Sequence, residues 1–288
     1  MALLIEYPLA STRFLCDRPG PSAVLEDTMA TQPIPMAPFL RIPPEIRVMI
    51  YKLLLKDHDS KILSIRTEDS LTYDRRKHEG RCRSQYRIMS DRFRARSIET
   101  TYHLAHNPGI FPSILGVNRM IHHEASHILY SAHTFDFELD VEAVIPFLSD
   151  LTPSARSSIK RINIVQRALP YIKDFDRCEW RNVCAFLSKN MELVQLGLGI
   201  LGGKPATQWG AEDTYEESDF KLISGFEGME WMRQVAEIKG LQNVDVKAHL
   251  QHCPPPCSNA MAFFVNFSAS IEKGFAAFLR SQMLAPAF

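Results

Sequence analysis

Three segments in the second half of the chain repeat one apolar spacing, and that spacing limits the fold more than any other feature. They are Ile159-x-x-Ile162-x-Ile164, Leu193-x-x-Leu196-x-Leu198 and Leu241-x-x-Val244-x-Val246. A stretch with helical periodicity precedes each one, at 141–148, 178–189 and 228–239. Strands need neighbours for their backbone N–H and C=O groups, and a helix between successive strands is the usual crossover of a parallel pair. The pattern therefore predicts a mainly parallel sheet covered by helices. A degenerate solenoid, each unit burying its strand against its neighbours, satisfies it. So does an ordinary α/β domain. The intervals from Ile159 to Leu193 and from Leu193 to Leu241, 34 and 48 residues, are longer and less regular than those of a regular repeat, and both readings stand.

The first half opens differently. Residues 1–38 are rich in proline and small polar residues with no sustained period, which predicts a disordered leader. Pro43 and Pro44 suit a helix start, where a missing N–H costs nothing, and Glu45 favours the positive end of the helix dipole. Ile46, Met49, Ile50, Leu53 and Leu54 then recur at three- and four-residue spacing as one apolar stripe. A second helix is predicted at about 118–130, with Val117, Ile121, Ala125, Ile128 and Leu129 on one face, and Ile46, Ile50 and Leu53 are expected to pack against it. Strands are predicted at 61–66 and 134–139. Between them, 67–109 reads as a polar insertion with a hairpin around 86–89 and a disordered tip. Its run from Arg75 to Arg96 holds nine Lys/Arg against two acids. A final helix is expected at about 259–283, closing the sheet.

The segment Phe39-Leu-Arg-Ile-Pro-Pro-Glu-Ile-Arg-Val-Met-Ile-Tyr-Lys-Leu-Leu-Leu55 resembles the opening helix of F-box domains, and is most similar to the divergent F-box-like proteins of filamentous fungi. The stretch Ile114 to Tyr130 resembles the helix that returns to the core in that group, and Thr134-Phe-Asp-Phe137 the strand after it. The resemblance spans roughly 39–165. It implies an F-box-like region at 39–140 that docks a Skp-type adaptor of a cullin–RING ubiquitin ligase. Residues 141–288, a leucine-rich-repeat-like strand/helix array in the solenoid reading, would then hold a protein target. Carried over by position, Leu40, Ile42, Pro43, Pro44, Glu45, Ile46 and Ile50 would form the adaptor contact. The chain departs from the family in length, since an F-box packs its three helices into about fifty residues. Here about sixty separate the first helix from its partner. An F-box-like scaffold unconnected to ubiquitin ligation is the alternative.

Several motifs carry chemistry on paper. His123-Glu124-Ala-Ser-His127 satisfies H-E-x-x-H, two imidazoles one turn apart to bind zinc and a glutamate to activate water. A zinc hydrolase is therefore a further alternative, and His133 has the spacing of a third ligand. The glycine that would turn the chain toward it is Tyr130, however, and helical geometry points His123 and His127 away from the apolar stripe. Gly197-Leu-Gly-Ile-Leu-Gly202 matches G-x-G-x-x-G, but Pro205 and an acidic stretch at 212–219 follow where a dinucleotide site needs a helix N-terminus. This predicts a glycine-rich loop leaving a strand. His249, His252, Cys253 and Cys257 could ligate zinc. The three intervening prolines, at ~3.1 Å per residue, would hold the two cysteines about 12 Å apart and make a stiff link instead.

Neither a catalytic site nor a metal or cofactor is expected. Formal net charge is zero and the pI is near 7.1, which removes whole-molecule attraction to nucleic acid or anionic membrane. The six cysteines are scattered, as intracellular thiols are. The opening Met1-Ala-Leu-Leu-Ile-Glu6 lacks the basic start and longer apolar core of a secretory signal, and no window offers ~20 apolar residues for a span. The expectation is a non-enzymatic intracellular protein, cytoplasmic or nuclear, that binds other proteins.

Overall fold

The computed structural model describes residues 37–55, 61–68, 83–88, 96–104, 109–168, 174–206 and 214–284. Most of the leader, the basic tip of the insertion and much of the acidic stretch lie outside these residues.

A 3-10 turn, Pro38–Arg41, leads into α1, Pro44–Leu55, whose first turn is closed by Ile46 and Arg47 both donating to the Pro43 carbonyl. Strand β1, Ile62–Glu68, follows, and the insertion then adds β2, Arg83–Ile88, and β3, Arg96–Leu104. Asn118 caps α2, Arg119–Ala132, by accepting from the Ile121 N–H at 2.9 Å. Beyond it come β4 (Thr134–Asp136), α3 (Val144–Asp150), α4 (Pro153–Ser158), β5 (Arg161–Arg167), α5 (Asp174–Asn190) and β6 (Gln195–Pro205). The chain closes with α6 (Glu217–Ile223), α7 (Glu230–Ala236), β7 (Asn243–Cys253), α8 (Asn259–Ala269) and α9 (Ala276–Met283).

The seven strands form one sheet in the order β2-β3-β1-β4-β5-β6-β7. Across β1, β4, β5, β6 and β7 the pairing is parallel, and from β4 onward each strand lies beside the next in sequence, while β2 and β3 run antiparallel on the outer edge of β1. The chain is thus mixed α/β with a mainly parallel sheet. All nine apolar positions of the three repeated segments are buried. They are also in register: Ile162 pairs with Leu196 and Leu196 with Val244, and Ile164, Leu198 and Val246 form the next row. The first row extends through Phe135 to Leu63, so one buried residue from each of five parallel strands stands side by side. A one-residue slip would turn each of these side chains to the other face, so the rows fix the register. Helical residues complete the core against them, including Leu129 of α2, Trp180 and Leu187 of α5, Met232 of α7 and Leu279 of α9.

Local expectations fare unevenly. The 67–109 insertion supplies two strands and the buried Tyr102, because β1 would otherwise leave a bare edge. The G-x-G-x-x-G glycines do not form a loop. All three lie inside β6, which stays extended to Pro205 because β7 pairs with it along its whole length. The acidic stretch contributes the start of α6, where Glu216 and Asp219 form a reciprocal capping box. The last helix is broken by a π-helical turn, Ile271–Phe275. That turn places Glu272 to accept from the Ala248 N–H at 3.1 Å, and Arg280 reaches the Val244 carbonyl at 3.1 Å. Both bonds engage β7 from the α9 side, so the end of the sheet is covered.

Candidate functional site

Helix α1 is oriented opposite to its apolar stripe. The buried positions are Arg47, Tyr51 and Leu55, while Ile46, Met49 and Leu53 are 45%, 60% and 67% exposed. The two helices do meet, but not through the expected apolar contact. Glu124 of α2 receives Arg47 as a fork, Nη2 to Oε1 at 2.6 Å and Nε to Oε2 at 3.1 Å, and Tyr51 donates its hydroxyl to Oε2 at 2.9 Å. Arg47 Nη1 also donates to the carbonyls of Ile42, at 2.7 Å, and Leu40, at 3.3 Å. A buried guanidinium is tolerated only when its donors are met, and this geometry meets them from three directions. The price of burying Arg47 is therefore offset, and Ile46, Met49 and Leu53 are left in solvent while Ile50 is half-buried and Leu54 packs against the core.

Hydrogen bonding from Arg47, with help from Tyr51, holds the Glu124 carboxyl below its ordinary value of 4.5 despite its partial burial. The same contact raises Arg47, and burial followed by the bond to Glu124 raises Tyr51. The sign for Glu124 follows from linkage: a depressed carboxyl stabilises the fold fully above its unfolded value and loses that contribution as pH falls through the lower folded one. We expect α1 to loosen as the pH is lowered below about 4.5, read as a lower amide protection factor at Tyr51 relative to the intrinsic exchange rate at each pH. Glu124→Gln should remove that pH dependence.

The seven carried-over positions cluster at this end. Pro43, Pro44, Glu45 and Ile46 are exposed, Ile42 and Ile50 half-buried, and Leu40 is half-buried against the core. The Arg47 bonds to the Leu40 and Ile42 carbonyls brace the turn that presents them. The sequence reading missed Arg47 and Tyr51, although their i, i+4 spacing with Leu55 was a second available stripe.

The H-E-x-x-H residues do other work. Glu124 is taken by Arg47. His123 and His127 are exposed, as their helical position predicts, and His127 Nδ1 lies 3.0 Å from Ser158 Oγ. Because the Ser158 hydroxyl already donates to the Ser154 carbonyl at 2.9 Å, the ring nitrogen is the donor to it. Tyr130, in the glycine position, is buried and stacked on Phe135, and burial pushes its hydroxyl up to about 12. His133 is buried and donates Nδ1 to the Leu129 carbonyl at 2.9 Å. In the other cluster Cys253 is buried while Cys257, His249 and His252 are exposed, and among the described residues no three His, Cys, Asp or Glu side chains gather as a metal site.

The second surface with shape is the sheet face opposite the buried rows. Asn163, Gly197, Asp245, Lys247 and His249 line a groove of about 430 Å³ there. A Cβ on Gly197 would stand 2.2 Å from Asn163 Oδ1, and one on Gly199 2.6 Å from His249 Nε2. The glycines therefore let both polar side chains lie across the strand, making a shallow floor. At one end Arg66 joins Glu138, at 2.7 Å, to Asp136, whose carboxyl is raised by burial. Glu138 is itself held at φ 44 in the turn after β4.

Fold and site together define a mixed α/β protein that clamps one helix through an ion pair and leaves Ile46, Met49 and Leu53 of its apolar face open. The chain belongs to the family described as Domain of unknown function (DUF7730), which matches residues 32–230, more than half of it. No curated protein and no solved structure matches the chain. Among the described residues, no helix is long and apolar enough to cross a membrane.

Proposed function

We propose that this chain is a non-enzymatic, intracellular, F-box-like interaction protein that docks a Skp-type adaptor through α1 and holds a protein target on its sheet. One observation carries the reading: Ile46, Met49 and Leu53 form an exposed apolar stripe on a helix fixed by the Arg47–Glu124 fork. Covering such a stripe is favourable by roughly 25 cal/mol per Å² of apolar surface, and the fork lowers the cost of ordering the helix on binding. The adaptor contact comprises Leu40, Ile42, Pro43, Pro44, Glu45, Ile46 and Ile50, with Met49 and Leu53 extending it along the helix.

For the second half, parallel strands in register suit the leucine-rich-repeat-like array and an ordinary α/β domain alike, and the sheet face left open opposite the buried rows supports the first. Target binding then falls to the open sheet face lined by Asn163, Asp245, Lys247 and His249. The zinc-hydrolase alternative loses its general base to Arg47 and its chain turn to the buried Tyr130.

Co-purification with a Skp-type adaptor tests the proposal. The full chain should retain the adaptor, and the Pro44→Ala, Ile46→Asp double variant should lose it while keeping its melting temperature, since both side chains are exposed. Equal recovery with both proteins, or with neither, would favour the F-box-like scaffold without a ligase.

A further inference from the structure

A cleft of about 910 Å³ opens between α1, α2 and the N-terminal ends of the parallel strands. Its floor follows the sheet order: Lys61 just before β1, Thr134 opening β4, Arg161 opening β5 and Gln195 opening β6. Lys52 reaches in from α1, on a different side of that helix from the apolar stripe. Arg161 is fixed in place, Nη2 donating to the carbonyls of Ser131, at 2.7 Å, and Ala132 at the end of α2. Lys52 and Lys61 are both exposed, and neither has an ion pair among the described residues. Among the described residues of the lining the one carboxylate, Glu124, is already taken by Arg47 and Tyr51.

We infer that this cleft binds an extended acidic peptide segment. Three cations, with no free carboxylate among the described residues of the lining, make a positive trough, in which partial enclosure strengthens attraction to an anion. Spacing favours a peptide over a single small anion. Lys61 and Arg161 stand two strands apart, about 10 Å at ~4.8 Å per strand, which is the reach of about three extended residues. Acidic side chains some three residues apart would meet the two cations, while Ile128 and Ala132 offer apolar contact between them. Nucleic acid fits less well, because the described residues of the lining include no Phe, Tyr or Trp on which a base could stack. The inference does not rest on adaptor docking, since the two surfaces lie on different sides of α1.

The test is fluorescence anisotropy of a fluorescein-labelled peptide rich in Glu and Leu, titrated with the full chain at low salt. Two variants separate the cleft from the basic insertion: Lys52→Glu with Lys61→Glu, and Arg75→Ala with Arg76→Ala and Lys77→Ala. Saturable binding that the cleft variant weakens at least roughly tenfold and the insertion variant leaves unchanged is the expected result. Loss of binding in the insertion variant alone, no saturable binding, or tighter binding of a single-stranded oligonucleotide competed by the peptide would each overturn the inference. Because Lys52 and Lys61 are exposed, the melting temperature of the cleft variant should match that of the parent.

Discussion

Glu124→Ala is expected to lower the melting temperature by on the order of 10 °C and to free α1 for cleavage by trypsin. The substitution takes both fork acceptors from Arg47, which is only 3% exposed, and the acceptor from the fully buried Tyr51. Breaking one side of a buried pair strands the other charge, which costs far more than the pair itself contributes. The combination Arg47→Met with Glu124→Leu should therefore recover much of the loss, because neither charge is then left unpartnered. If Glu124→Ala melts with the parent protein, or if the double variant is no better than the single, α1 is not held by the fork. The outcome also bears on adaptor binding, since a freed α1 would need reordering before any partner could use its apolar face.

Gly274→Ala should be damaging at the opposite end of the molecule, by about 3 kcal/mol in urea unfolding. A Cβ there would stand 2.0 Å from the Tyr215 carbonyl oxygen and 3.0 Å from its carbon. Both are backbone atoms, and the segment cannot simply withdraw. Tyr215 N–H donates to Ser270 Oγ at 2.8 Å, and Glu216 caps α6. Gly274 lies in the π turn beside Phe275, whose ring touches Phe220, Trp231, Phe267 and Phe278. Opening that turn would disturb this aromatic layer and the Glu272 bond to β7 together. An unfolding midpoint equal to that of the parent would show that the turn yields without cost.

The strand rows were legible because their cause is local. Alternation within each segment is visible in sequence, and Ile162, Leu196 and Val244 are buried in the register that alternation requires. Leu63-x-Ile65 and Phe135-x-Phe137 carry the same two-residue alternation and are also buried, yet they lie outside the repeated helix–strand spacing. The antiparallel edge was harder to read. The strand Arg96–Leu104 carries charged and polar residues and pairs through its backbone, which leaves little periodic signal. The glycines of β6 read as a loop because a strand interior disfavours glycine. Their role depends on Asn163 and His249, which only the tertiary arrangement lays across them.

By itself, then, the sequence determined the parallel strand rows, the start of α1 and the solvent placement of His123 and His127. Each of these is encoded in a pattern confined to a few residues, although the rows themselves join strands 34 and 48 residues apart. Which face of α1 turns inward was decided by the tertiary structure alone. The apolar stripe and the Arg47–Tyr51–Leu55 stripe compete for the core, and hydrophobicity favours the first. The second prevails because Glu124, 77 residues further along the chain, arrives with two acceptor oxygens for one buried guanidinium.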